Sequence, residues 1–230
     1  QLTPSVILEI RAWAKKEKRS CKILFTAHDY QLLCPNHMCK NPQTGENCEK
    51  CLSGRFSHCT KGRCIHGSRM KSMVGAFEAR FWKWKKVYKH LDGIICCSAF
   101  MKSKMDTNPI FADKTVVMHN FVDRVSPVDL PKEDYVLYFG RFSEEKGVPF
   151  LLRSIAKLKE KTAVPFRLLL VGTGPDFDRD KALIPELGIE DKVVLTGFRT
   201  DTARLLAASD IYLNSSSSEA MSFAILEALG

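Results

Sequence analysis

Within the 230 residues, the stretch Gly140-Arg141-Phe142-Ser143-Glu144-Glu145-Lys146-Gly147 puts two cations five residues apart, just before a helical pattern that begins at Val148. Free amides at a helix start, with Arg and Lys beside them, make a seat for a diphosphate. The competing reading is a solvated turn in which Glu144 and Glu145 pair with the same cations. Val171-Gly172-Thr173-Gly174-Pro175 has the opening of a dinucleotide-binding fingerprint, but it lacks the third glycine and puts proline where the helix would begin. Further on, Ser215–Ser218 leads into Glu219-Ala220-Met221-Ser222-Phe223-Ala224-Ile225-Leu226-Glu227. Read as a helix over Glu219–Leu229, this brings Glu219 and Glu227 near one face, about 12 Å apart along the axis. A sugar nucleotide spans such a distance, with one acid on the sugar and one on the ribose. Otherwise Glu219 is a first-turn acid favoured by the helix dipole and Glu227 is solvated.

A different chemistry is suggested by Cys34, Cys39, Cys48, Cys51, Cys59 and Cys64, with His37, His58 and His66 interleaved. A Cys-x2-Cys pair followed by two more cysteines suits a tetrahedral Zn²⁺ site. Cys48, Cys51, Cys59 and Cys64 form the simplest quartet, and Cys34, Cys39 or a histidine could substitute. Its role would be structural, a staple for a long segment (34–66) with little apolar content. Cys96 and Cys97 sit in an apolar run and read as buried thiols.

The elements that carry these residues follow from periodicity. Strands are expected at Cys21–Thr26, Gly93–Cys97 and Thr115–Met118, and a long amphipathic helix from Gly67-Ser68 to about Leu91. After a proline-containing linker at 121–134, strands at Tyr135–Phe139, Arg167–Val171, Lys192–Thr196 and Ile211–Asn214 alternate with helices at Val148–Glu160, Asp178–Leu187, Thr202–Ala208 and Glu219–Leu229. Continuous apolar strands each followed by a helix indicate a parallel sheet covered on both faces, a doubly wound α/β domain. Ligands then sit beyond the carboxyl ends of the strands, where the loops above lie.

Composition sharpens this division. Apolar residues make up 45% and charged residues 27%, which excludes a disordered or fibrous chain. No apolar run reaches the ~18–20 residues of a membrane span. Residues 1–110 carry 20 Lys+Arg and 8 Asp+Glu, a net +12, whereas 111–230 carry 15 and 18, a net −3. All nine cysteines precede position 98. Gln1 is not an initiator methionine and the last helix stops without an exit, so the chain is expected to be an inactive internal part of a longer protein.

Taken in order, Tyr-Phe-Gly-Arg…Glu-Lys-Gly, Leu-Val-Gly-Thr-Gly-Pro, Val-Leu-Thr-Gly-Phe and Ala-Ser-Asp-Ile-Tyr-Leu-Asn-Ser-Ser…Glu-x7-Glu-Ala resemble the donor domain of retaining glycosyltransferases of family 4 ("group 1"). The resemblance is strong over 135–230 and looser over 20–125. It implies the GT-B architecture of two Rossmann-like domains: a partial acceptor domain at 1–120, with a Cys-rich insertion, and a partial donor domain at 135–230. It implies a donor such as a UDP-, GDP- or ADP-sugar, a glycan or lipid-linked acceptor, and no catalytic cofactor. Gly140, Arg141, Lys146 and Gly172 would line the diphosphate seat, and Glu227 would hold the ribose hydroxyls. Glu219 would face the donor sugar, and the amides of Met221, Ser222 and Phe223 would cradle phosphate or sugar. His28 would line the cleft, with Asp29 orienting it or serving as base for the acceptor hydroxyl; alternatively His28 simply ends a strand. Ala220-Met221-Ser222-Phe223 departs from the glycine-containing sequence common after the first glutamate, which leaves donor choice open.

The helix near Arg69 has Met70, Met73, Val74, Phe77, Phe81, Trp84, Tyr88 and Leu91 on one stripe and Lys71, Arg80, Lys83, Lys85, Lys86 and Lys89 over most of the rest. It is either a core-facing helix with a basic back or a surface that lies on anionic lipid. With the resemblance, the expectation is a cytoplasmic enzyme of cell-surface polysaccharide or glycolipid synthesis, at the inner face of the membrane. The rivals are an epimerase of the same fold and, from another class, a zinc-knuckle nucleic-acid binder. The latter would leave the α/β half unexplained, so nucleic acid is not an expected partner.

Overall fold

The structure, a computed structural model, describes residues 3–123 and 133–230. It divides into two compact units, Gln1–Asn120 and Phe121–Gly230. Most of the expected linker, residues 124–132, lies outside the described residues.

The first unit runs α1 (Ser5–Lys16), β1 (Leu24–Ala27), α2 (Ser57–Lys61), α3 (Arg69–Trp84), β2 (Gly93–Cys96), α4 (Ala99–Met105) and β3 (Thr115–Val117). Its three strands are parallel in the order β1-β2-β3. Ile94 and Cys96 of the central strand are fully buried. Arg11 of α1 ties the strand entrances together. It donates to the carbonyls of Cys21 (2.7 Å) and His90 (2.5 Å) and pairs with Asp92, whose carboxylate accepts the Ile23 amide at 2.7 Å. Ser98 caps α4 by accepting the Met101 amide at 3.1 Å.

The Cys-rich segment is held by backbone and packing. The Cys48 amide donates to the Cys39 carbonyl at 2.7 Å and Lys40 bridges Asn47. Among the described residues no three of His, Cys, Asp and Glu gather so as to hold a metal ion, and all nine cysteines are free thiols. The zinc staple expected from Cys48, Cys51, Cys59 and Cys64 is therefore not assembled. Cys51 and Cys59 are instead packed with Phe56 and Ala76 in a small apolar cluster, as free cysteines commonly are. Cys34 lies against Cys39 and Cys51. Hydrogen bonds from those two thiols make Cys34 the easiest of the three to ionise, and its thiolate makes theirs harder to ionise.

α3 is shorter than expected, and its orientation decides between the two readings that the sequence left open. It ends at Trp84, Lys86 turns left-handed (φ 54°), and a 3-10 turn over Val87–His90 brings Val87 and Leu91 inside. The inward face of α3 is its small one. Ser72 donates to the Ser68 carbonyl at 2.7 Å and accepts the Ile65 amide at 2.9 Å, and Ala76 is fully buried. The apolar stripe points the other way: Met70 is 72% exposed, Phe77 69% and Trp84 71%. Close approach to the Cys-rich segment selects small residues, so the large ones are left outside.

The second unit contains β4 (Tyr135–Phe139), α5 (Val148–Lys161), β5 (Arg167–Val171), α6 (Phe177–Glu186), β6 (Val193–Gly197), α7 (Thr202–Ala208), β7 (Ile211–Tyr212) and α8 (Phe223–Leu229). All four strands are parallel, in the order β6-β5-β4-β7. Buried Leu168 and Leu170 of β5 pack with Leu151, Leu152 and Ile155 of α5 and with Ile184 of α6, while Leu137 and Val171 form a second cluster with Ala208 of α7. Among the described residues no helix is long and apolar enough to cross a membrane.

The orientation of α3 is open to a direct check. Ala76→Met would overpack the inner face and cost about 1–3 kcal/mol, whereas Phe77→Ser should shift stability by no more than about 0.5 kcal/mol. If urea unfolding gave the reverse ranking, α3 would be turned the wrong way.

Candidate functional site

Strand order locates the site. From β4 the chain steps outward to β5 and β6, then returns to place β7 on the other side of β4. Connections therefore diverge above β4 and β7, the crevice where open parallel sheets bind ligands. The loops leaving these two strands carry Arg141, Lys146 and Glu219.

Three loops are knit together there. The Gly140 amide donates to the Val171 carbonyl at 3.0 Å and the Phe142 amide to the Thr173 carbonyl at 3.0 Å, joining the loops after β4 and β5. Gly172 has φ +135°, and a Cβ on it would fall 1.9 Å from the Gly140 carbonyl oxygen. Its lack of a side chain thus serves loop packing. On the other side, the Ser217 amide donates to the Glu145 carbonyl and the Ser215 hydroxyl to the Lys146 carbonyl, each at 2.8 Å. Gly147 caps α5 at φ +65°, and a Cβ there would lie 2.3 Å from the Ser215 carbonyl oxygen.

The side chains converge as the backbone does. Lys146 Nζ donates to Glu219 Oε1 at 2.6 Å, with only 25% and 24% of the two side chains exposed. Arg141 is exposed and makes no ion pair among the described residues, though its charge bears on Glu145. Glu145 accepts the Ser143 hydroxyl at 2.6 Å. Burial pushes its carboxyl up, but hydrogen bonds from Ser143 and its own amide, with the charges of Lys146 and Arg141, outweigh this and hold it below the usual glutamate range. The turn is thus not the set of local pairs that a solvated loop would show: Lys146 crosses to the other loop. Tyr212 stacks at an angle on Phe139, ring centres 5.2 Å apart. Burial first, then the charges of Glu219 and Glu227, push its hydroxyl up to about 12.

One expected geometry fails. Glu219 is not on the final helix, which begins at Phe223 with Ser222 as N-cap. The two glutamates therefore share no helical face. The residues ahead of Ser222 are committed to the β4 loop through Ser215, Ser217 and the Lys146–Glu219 pair, which holds them out of the helix. Met221, Ser222 and Phe223 stand at the start of α8, and Glu227 lies within it.

In the first unit, His28 is exposed directly after β1, as its position in the sequence suggested. Asp29 turns to His37 instead, 3.6 Å away, and accepts the Gln31 amide at 2.8 Å. Burial raises Asp29, but these partners bring it below its ordinary value, and the hydrogen bond to Asp29 raises His37. Sequence reasoning missed His37 as a partner, since it was counted among the metal candidates. It also passed over Ser215 and Ser217, whose signal was a run of hydroxyls directly after a strand.

Comparisons with known proteins agree with this layout. Residues 123–230 match the family described as "Glycosyl transferases group 1". N-acetyl-alpha-D-glucosaminyl L-malate synthase of Bacillus anthracis is 36% identical over 97 residues, 42% of this chain and 25% of that protein. The lipopolysaccharide core biosynthesis glycosyltransferase LpsE of Rhizobium meliloti (strain 1021) is 36% identical over 109 residues, 46% of this chain and 30% of that protein. The crystal structure of Anabaena HepE in complex with UDP superposes with a TM-score of 0.62 at 20% identity, over 99% of this chain and 55% of that one. The chain thus has the mixed α/β, parallel-sheet fold of GT-B glycosyltransferases and holds part of it; it spans well under half the length of these two curated relatives.

The Glu145 carboxylate gives a prediction with a definite sign. Its folded value lies below the ordinary one, so its contribution to stability is present at neutral pH and is lost as pH falls through the folded value. Ser143→Ala should cost about 1 kcal/mol at pH 7 and less near pH 3. Carboxyl NMR titration should show Glu145 moving back up in the variant.

Proposed function

We propose that this chain carries the donor-binding part and a portion of the acceptor part of a retaining glycosyltransferase. The enzyme would move a sugar from a nucleotide diphosphate sugar to an acceptor hydroxyl on a cell-surface polysaccharide or glycolipid, working in the cytoplasm. The observation that carries the reading is the Lys146–Glu219 pair at the switch point of a sheet whose residues match a glycosyltransferase family. The relative named for lipopolysaccharide core biosynthesis supports the acceptor class, and the UDP in the Anabaena structure supports the donor class.

In this reading the diphosphate displaces the Glu219 carboxylate from Lys146 and gains Arg141. Both cations then stabilise charge developing on the leaving diphosphate. Freed Glu219 faces the donor sugar, and Glu227 takes the ribose hydroxyls. No separate cofactor is required, because the cations supply the electrophilic assistance. His28 lines the acceptor side, and Asp29, engaged by His37, orients nearby groups through that pair.

The exchange of partners makes a specific test. A lost charge-assisted contact is worth about 1.5–3 kcal/mol, roughly 10- to 100-fold in affinity. Lys146→Ala and Arg141→Ala should each weaken UDP binding by about that factor in calorimetry. Glu219→Gln should leave UDP affinity unchanged or tighter, because Lys146 no longer has a competing carboxylate, while sugar transfer by the full-length enzyme falls. Equal weakening in all three variants would sink the exchange. Sugar conversion from donor alone, with no acceptor, would mark an epimerase instead.

A further inference from the structure

We infer that the outer face of α3 is a docking surface for an anionic lipid bilayer, with the helix axis lying in the plane of the membrane. Six large apolar side chains, Met70, Met73, Val74, Phe77, Phe81 and Trp84, lie within an arc of about 100° on the outer face, and all six are exposed. The same helix buries Ser72 and Ala76 against its own unit, so its apolar stripe is not the face that holds the unit together.

Charge selects the occupant. Between Arg69 and His90 there are seven Lys and Arg and a single acid, Glu78. Arg69 and Arg80 border one side of the arc, and on the other stand Glu78 and, beyond it, Lys71, all exposed. Lys85 lies over the rings of Phe81 (5.8 Å) and Trp84 (5.0 Å), its stem along the aromatic surface and its ammonium at the edge. Large apolar groups in the centre, aromatic rings near one end and cations around the rim match the layers of a bilayer surface from acyl chain to anionic headgroup. The surrounding unit carries the positive excess of the chain, so its field points the same way.

The test is partition of the chain between buffer and large unilamellar vesicles, of phosphatidylcholine alone or with about a third phosphatidylglycerol. Binding to the anionic vesicles should exceed binding to the neutral ones by at least tenfold and fall when salt is raised from 0.1 to 0.5 M. Phe77→Ser combined with Trp84→Ser should reduce anionic-vesicle binding at least tenfold, with an unchanged thermal melt, since both side chains are outside the core. Arg80→Glu combined with Lys85→Glu should do the same while leaving any weak binding to neutral vesicles in place. Equal affinity for the two vesicle types, or binding to neither, overturns the inference. So does self-association in lipid-free buffer that the Phe77/Trp84 variant abolishes, which would assign the face to a second copy of the chain.

Discussion

Because β4 pairs with β5 along one edge and with β7 along the other, the loops leaving those strands open into one crevice. The rest of the candidate site depends on that placement. Were β7 beyond β6, Lys146 and Glu219 would sit at opposite ends of the sheet and could not pair. The ladder between β4 and β7 is short, with Val136 opposite Ile211 and Leu137 opposite Tyr212. The register is extended by the loops, whose serine and glycine contacts continue the connection past the strand ends. Backbone geometry rather than side-chain bulk therefore fixes where the charged groups meet.

Much of the second unit was legible in the sequence, because its strands are continuous apolar runs and its helices begin at recognisable starts. Tyr135–Phe139 and Arg167–Val171 form as expected, since a strand buried on both faces leaves no ambiguity of period. The start of the last helix was not legible. Glu219-Ala220-Met221 has ordinary helical propensity, and contacts with residues some seventy positions earlier hold this loop out of the helix. That is a tertiary override that no local pattern records.

The first unit was read less well, for a physical reason. An amphipathic stripe states that a helix has two faces, not which of them turns inward. In α3 the decision falls to Ser72, Gly75 and Ala76, whose small size permits the close approach of Ile65 and the Cys-rich segment. The cysteine spacing misled in a similar way. It suits a metal, but several of the thiols are taken up by apolar packing and by hydrogen bonds among themselves. His28 and Asp29 were found where a strand end should place them, yet the partner of Asp29 came from the segment that spacing had assigned to metal.

Gly147 joins two parts of the second unit mechanically. It ends the turn that carries Lys146, begins α5, and presses against the carbonyl of Ser215 with no side chain between. A side chain at such a contact could rotate aside and absorb a displacement, but two backbones cannot. A shift of the loop after β7 toward the helix would meet the backbone of the first turn of α5 directly. Leu151 and Leu152, one turn further on, are buried under the sheet, so the same turn that meets the loop is anchored in the core.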